Sequence, residues 1–454
     1  MKKSNLTLSC LLLMSVSAQS ADLAEIFNQS QQHDPQLSAA QNTQKASAEG
    51  KKQAFSAFLP QVTGGWTTSE SETNGETKKE GIVVPSTSET EGDRWELSLT
   101  QSIYNHANYQ SYKISEMEVL KSASEYEVAY QDFVLRVAQN YFNVLGAQDS
   151  LIFSKAEEKA IQRQLDQAEQ RFEVGLAAIT DVHEARARFD SSRASVILAE
   201  NLLQDANEAL FEMTQKYYSE LNPVPNDLDY ELFVLKTLDN YQQSGIAINP
   251  ELMVSKINRD IAEKRIALNK SGHLPSLSLS LGKNGASSPN KLSTEIDNAT
   301  GLPVPVETGE RSSNTKSASI TLSVPIYSGG STSSKVRQAA HNYNAALDNY
   351  EQSLRSVTRK VRNAYHGTIA AKSTVNARKL AMVSAQSGLE ATEAGYEVGT
   401  RTIVDVLNSQ QGLYQAQRDY SKAKYDYFIQ LLELKKASGN LNEEDILTIN
   451  KILQ

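Results

Sequence analysis

The chain has 454 residues, is 39% hydrophobic and 22% charged, and carries a formal net charge of −9. That length allows two or three domains and a large core. The acidic balance argues against nucleic-acid binding, which needs Lys and Arg to neutralise phosphates.

Lys2 and Lys3 precede an apolar run from Leu6 to Val16, followed by Ser17-Ala18-Gln19-Ser20-Ala21. This pattern predicts a secretory signal over residues 1–21, with the mature chain starting near Asp22. The run is too short to cross a bilayer core of about 30 Å. Cys10, the only cysteine, lies inside the run, and Leu11, Leu12 and Leu13 continue past it, which argues against lipidation. A mature chain without cysteine has no disulfide, thiolate metal site or thiol nucleophile. Loss of the two lysines takes the formal charge from −9 to −11. No other stretch is apolar enough for a transmembrane helix. An exported acidic protein of this kind is periplasmic, secreted, or an outer-membrane barrel whose alternating strands escape a hydropathy search.

The chain is written twice. Asp34-Pro35-Gln36-Leu37 recurs as Asn249-Pro250-Glu251-Leu252, and Leu59-Pro60 as Leu274-Pro275, both at an offset of 215. Leu97, Leu99, Ile103 and Tyr104 recur as Ile320, Leu322, Ile326 and Tyr327 at 223. Phe172-Glu173-Val174-Gly175 recurs as Tyr396-Glu397-Val398-Gly399, and Ile179, Asp181 and Val182 as Ile403, Asp405 and Val406, at 224. We place the first repeat at 22–240 and the second at 241–454.

Each repeat follows one plan. An opening helical stretch stops at a proline, Pro60 or Pro275. A short alternating segment follows (Val62, Gly64, Trp66; Leu277, Leu279, Leu281), then a polar segment expected as a loop, about 69–92 and 283–315. A second alternating segment returns: Trp95, Leu97, Leu99, and Ala318, Ile320, Leu322, Val324. Period two predicts strands with one apolar face. The period then changes: Tyr130, Val134, Val137, Tyr141, Val144, Gln148 and Leu151 step by four and three, as do Leu347, Tyr350, Leu354, Val357, Val361, Ala364, Thr368 and Ala371. No proline interrupts 105–173, so a helix there would be roughly 100 Å long. The chain turns at Gly175 and Gly399 and returns as helices over about 179–215 and 403–437, the last capped by Ser438-Gly439-Asn440.

Four strands per chain cannot close a barrel, for which about eight is the minimum. In lipid every backbone N–H and C=O needs a partner, so open sheet edges are excluded. The strands must be pooled between copies, and a wide duct favours three. Trp95 at a strand start suits an interfacial aromatic belt.

Several segments carry a resemblance. Gly395-Tyr396-Glu397-Val398-Gly399-Thr400-Arg401-Thr402-Ile403-Val404-Asp405-Val406-Leu407 resembles the tunnel-entrance segment of the TolC family of outer-membrane efflux proteins. So do the stretch from Arg171 to Val182, Ala138-Gln139-Asn140-Tyr141-Phe142-Asn143-Val144-Leu145, Gly272-His273-Leu274-Pro275, and Val324-Pro325-Ile326-Tyr327-Ser328-Gly329-Gly330. The similarity runs over the whole mature chain. It implies a mainly α fold with transmembrane β: a homotrimeric twelve-stranded β-barrel in the outer membrane of a Gram-negative bacterium, continued by a long α-helical barrel through the periplasm. A small mixed α/β equatorial belt is expected, with 222–240 and 441–454 as its candidate segments. The implied function is the exit duct of multidrug efflux pumps and type I protein secretion systems. The implied partners are periplasmic adaptor proteins, inner-membrane pumps of RND, ABC or MFS type, and outer-membrane lipid.

Asp405 stands six residues after Gly399. In a trimer it would form a ring of three carboxylates that attracts cations, including multivalent ones; paired with Arg401 it would be an ordinary surface charge. The family usually shows a second acidic ring where this chain has Asn408, so weaker cation selectivity and weaker trivalent-cation block are expected. The family also implies a closed resting state held by links from Tyr396 and Arg401 to Thr180 and Asp181, and from Gln164 to Glu393, with Gly175 and Gly399 at the helix-turn tips. No cofactor is implied. The six histidines are scattered, His183-Glu184 does not continue into a zincin motif, and no P-loop, dinucleotide or G-x-S-x-G pattern occurs, so no enzyme is expected. A periplasmic adaptor, the other rival, normally has one helical hairpin between β-rich domains, against the duplicated pattern here.

Overall fold

The structure, a computed structural model, describes residues 20–79, 82–225, 235–289, 291–296, 299–300 and 303–453. Most of the predicted signal, the middle of the 222–240 segment and residue 454 lie outside the described residues. The elements run α1 (Leu23–His33), α2 (Pro35–Ser56), β1 (Gln61–Lys79), β2 (Ile82–Asn105), α3 (His106–Glu173), α4 (Ile179–Thr214), α5 (Leu238–Ile248), α6 (Pro250–Lys270), β3 (Ser276–Ser288), β4 (Lys291–Ile296), β5 (Pro303–Thr308), β6 (Arg311–Ser323), α7 (Ser331–Glu397), α8 (Ile403–Ala437) and α9 (Glu443–Leu453). They form two compact units, each drawing on both repeats. One holds the sheet (44–123 and 255–350) and the other most of the long helices (1–43, 124–254 and 351–454).

The repeated Asp/Asn-Pro-x-Leu motif is a helix start. Asp34 Oδ1 accepts from the Leu37 N–H at 2.7 Å, and Asn249 Oδ1 accepts from the Leu252 N–H at 3.1 Å. Pro35 and Pro250 then take the first helical position, where a missing N–H costs nothing. The buried Asp34 also meets Arg136 Nη2 of α3 at 2.6 Å.

In the sheet unit the strands are ordered β1-β2-β3-β6, all antiparallel. The register aligns the alternating residues across the sheet. Val62, Leu99, Leu281 and Ala318 form one apolar row, and Leu279 and Ile320 extend that face towards Leu277 and Leu322. Trp66 pairs with Trp95, and a methyl group on Gly285 would lie 2.3 Å from the Trp95 indole Nε1, so the indole covers the glycine. The Lys283 Nζ stands 5.5 Å from the centroid of the same ring. This face is bare: Ile320 is 72% and Trp66 69% exposed. The opposite face is polar, with Thr63 and Ser98 hydrogen-bonded at 2.6 Å.

The predicted polar loops are largely strand. β1 and β2 stay in register from Thr68↔Asp93 out to Lys79↔Ile82, and β4 pairs with β5 within the longer segment of the second repeat. A backbone ladder needs no apolar face, and Ser/Thr-rich sequence tolerates extended structure once a neighbouring strand is paired. Composition alone reads such a ribbon as loop.

In the helical unit, the heptad stripe of α3 is buried at Val134, Val137, Tyr141 and Val144. It packs with Phe133 and Phe142 against Tyr425, Phe428 and Leu432 of α8, Leu23 and Phe27 of α1, and Ile446 and Ile449 of α9. Phe142 stacks on Phe428 with centroids 5.3 Å apart. The Tyr141 hydroxyl donates to the Asn222 carbonyl at 2.7 Å, and burial raises its pKa. Ala21 bridges Leu221 in parallel, and Ile446, Ile449 and Leu453 of α9 pack into the same cluster. Removing one of the stacked rings should leave a cavity: Phe428→Ala is expected to destabilise the helical unit by about 3–5 kcal/mol, read as a lowered guanidinium midpoint by circular dichroism.

Candidate functional site

The helix turns after α3 and α7 share one geometry. Gly175 has φ 76° and Gly399 φ 77°. Leu176 N–H reaches the Arg171 carbonyl at 2.8 Å, and Thr400 N–H the Gly395 carbonyl at 2.8 Å. These bonds close Schellman motifs, which need a left-handed residue and so favour glycine. Ser438-Gly439-Asn440 ends α8 in the same way, with Gly439 at φ 74° and Asn440 N–H on the Lys435 carbonyl at 2.9 Å.

The helices that leave the two tips start differently. Thr402 caps α8, and Asp405 completes a capping box. The Thr402 N–H donates to Asp405 Oδ2 at 3.0 Å, the Thr402 hydroxyl to the same oxygen at 2.9 Å, and the Asp405 N–H to Thr402 Oγ1 at 3.3 Å. At the matching place in α4 stands Ala178, which has no side-chain cap. The backbone and hydroxyl donors of Thr402 hold the Asp405 carboxyl below the usual carboxylate range, with Arg401 adding a smaller pull.

An apolar cluster joins the hairpins near the tips: Leu165 and Ala168 of α3, Val182 and Ala185 of α4, and Ile403 and Leu407 of α8, with Tyr396 packed against it. The Arg171 guanidinium stands 4.6 Å from the Tyr396 ring centroid. Arg188 of α4 donates from Nη2 to Asn408 Oδ1 at 3.1 Å and from Nη1 to Gln411 Oε1 at 3.2 Å. Farther from the tips, the Tyr414 hydroxyl donates to the Ala156 carbonyl at 3.2 Å and Arg418 pairs with Glu157 at 2.8 Å.

Inside one protomer, Tyr396 and Arg401 make contacts other than the expected latch. Among the described residues, Tyr396 makes no hydrogen bond to Thr180 or Asp181. Arg401 lies over Gly395, where a Cβ would meet its Cγ at 2.7 Å. The buried Gln164 Oε1 has no hydrogen-bond partner among the described residues and does not meet Glu393. Sequence reading missed Arg171 and Arg188. Their only signal was an arginine facing an aromatic or amide residue of the other hairpin, which needs the helix pairing to be known. Among the described residues no group of three or more His, Cys, Asp or Glu side chains can hold a metal ion.

Comparison with known proteins places this architecture in one class. The family model for "Outer membrane efflux protein" matches the chain twice, over residues 26–214 and 243–440. The chain belongs to this family of outer-membrane channels, which are not enzymes. Among its relatives, the outer membrane protein TolC of Vibrio cholerae serotype O1 is 38% identical over 436 residues, covering 94% of this chain and 93% of that protein. The alkaline protease secretion protein AprF of Pseudomonas aeruginosa is 26% identical, covering 96% of this chain and 88% of its own. Among solved structures, CusC shares the fold with a TM-score of 0.73 at 18% identity, over 92% of each chain.

Thr402→Ala should loosen the first turn of α8 and let Asp405 titrate closer to an ordinary aspartate. The capping bonds form while Asp405 is ionised, so their contribution is present at neutral pH. It is lost as pH falls through the lowered pKa. The expected result is faster amide exchange at the start of α8 in the variant and an upward shift of the Asp405 carboxyl titration by NMR.

Proposed function

We propose that three copies of this chain pool their strands into one twelve-stranded barrel in the outer membrane and their helices into a tunnel. The duct is the exit of tripartite efflux pumps and of type I secretion. The observation that carries this is the sheet. Its order leaves β1 and β6 as edges, and its exposed face carries Leu277, Leu279, Leu281, Ile320 and Leu322, with Lys283 and Lys316 in the row just before the Trp66–Trp95 level. Leu277 to Gly285 is nine residues, close to the roughly 9–11 a tilted strand needs to cross a bilayer. Each backbone group left unpaired in lipid costs several kcal/mol, and pairing β6 of one copy with β1 of the next removes both edges. The names of TolC and AprF support an outer-membrane exit route and protease secretion. Periplasmic adaptors and inner-membrane pumps of RND, ABC or MFS type are the partners that such a duct serves.

The two glycine tips form the periplasmic entrance. Asp405 forms a ring of three carboxylates there, and Asn408, one turn on, leaves a single such ring. The resting tunnel is closed by Tyr396, Arg401, Thr180 and Asp181, with Gln164 and Glu393 forming a further link. Docking of an adaptor and pump displaces these contacts. The two repeats, 22–240 and 241–454, each contribute one barrel hairpin and one tunnel hairpin.

Planar-bilayer recording on the detergent-purified protein tests the reading. Wild type should form a small, cation-selective channel, and Asp405→Ala should lose much of that selectivity. A correctly assembled trimer that conducts no current would overturn the duct. Tyr396→Phe combined with Arg401→Ser should raise single-channel conductance. Unchanged conductance would remove these residues from the latch and leave the duct standing.

A further inference from the structure

Arg188 has all three guanidinium nitrogens engaged. Nη2 and Nη1 hold Asn408 and Gln411 on α8, and Nε stands 3.4 Å from Glu184 Oε1 on its own helix. The two groups on α8 are neutral amides. They fix where the guanidinium sits without cancelling its charge. Among the described residues Glu184 is the only carboxylate paired with it, and that pair is open to water, with side-chain exposures of 37% and 42%, so it is strongly screened. Asn408 follows Asp405 by three residues and Gln411 continues the same row, so the three lie along one face of α8. That face carries a carboxylate and, one turn on, a guanidinium supplied by α4.

Resting on the reading that this face lines the tunnel entrance, we infer that Arg188 is a selectivity-determining residue. It places a positive charge beside the Asp405 ring and offsets the ring's pull on cations. The entrance thereby admits anionic solutes that carboxylates alone would repel. Rings of charged side chains set pore selectivity through their summed potential, and here the sum includes a cation that α8 does not encode.

The test is the reversal potential of full-length channels in a potassium chloride gradient. Arg188→Gln keeps an amide within reach of α8 and removes the charge. It should raise the potassium-to-chloride permeability ratio by at least about twofold, as for one charge at about 10 Å in a water-filled pore. Arg188→Lys keeps the charge and should stay near wild type, which a pure packing role does not predict. Asn408→Asp adds one negative charge at nearly the same place and should raise the ratio by a similar factor. Asn408→Asp with Arg188→Gln should raise it by about the product of the two single fold-changes. A wild-type ratio for Arg188→Gln, alongside a fall for Asp405→Ala, overturns this inference and leaves the carboxylate ring intact. No change in either overturns both. A change for Arg188→Gln alone keeps Arg188 at the pore and removes the ring.

Discussion

A β-strand edge is a row of unsatisfied donors and acceptors, and in an apolar medium nothing but another strand can satisfy it. This sheet has two such edges, β1 and β6, and one face whose apolar rows end at Lys283 and Lys316, just before a tryptophan level. Most other features follow from that incompleteness. Among the described residues no helix is long and apolar enough to cross a membrane. The chain's membrane-facing residues occur at every second position. Its helices leave stripes of small and polar side chains because in a ring of helices each packs on neighbours at both sides.

Duplication supplies the second constraint. Both repeats start their second helix, α2 or α6, with an Asp or Asn cap ahead of a proline, and both turn their long hairpins on a glycine at positive φ. Where backbone geometry is demanding, the copies agree. They diverge where only side-chain chemistry is at stake: Thr402 caps α8 while Ala178 leaves α4 uncapped, and Asp405 is held in a capping box. Divergence at the tips makes the two hairpins unequal, and unequal hairpins can carry a gate. Between the tips and the core, the hairpins are tied by one apolar cluster and a few arginine contacts. Deeper in, the aromatic packing of α3 and α8 is extensive. Motion confined to the tips is the cheapest motion available to such a structure.

Much of this was legible in the sequence because it rests on local rules. Period-two and heptad spacing, helix-stopping prolines, turn glycines and the repeat itself are written in residue order. They yielded the alternating part of each strand, and the ends of α3, α4 and α8 to within about a residue. The polar ribbons were misread as loops because cross-strand pairing, not composition, keeps Ser69–Lys79 extended against β2. Repeat offsets and glycine turns place the two tips along the chain. Their bonds inside one chain were not legible, because whether Arg171 meets Tyr396, or Arg188 meets Asn408, depends on how helices from opposite halves of the chain rotate against each other. The sequence by itself determined the long helices, their glycine turns and the alternating parts of the strands. The tertiary structure alone decided which side chains meet across segments some 220 residues apart, because a helical periodicity marks the buried face without saying which face it meets.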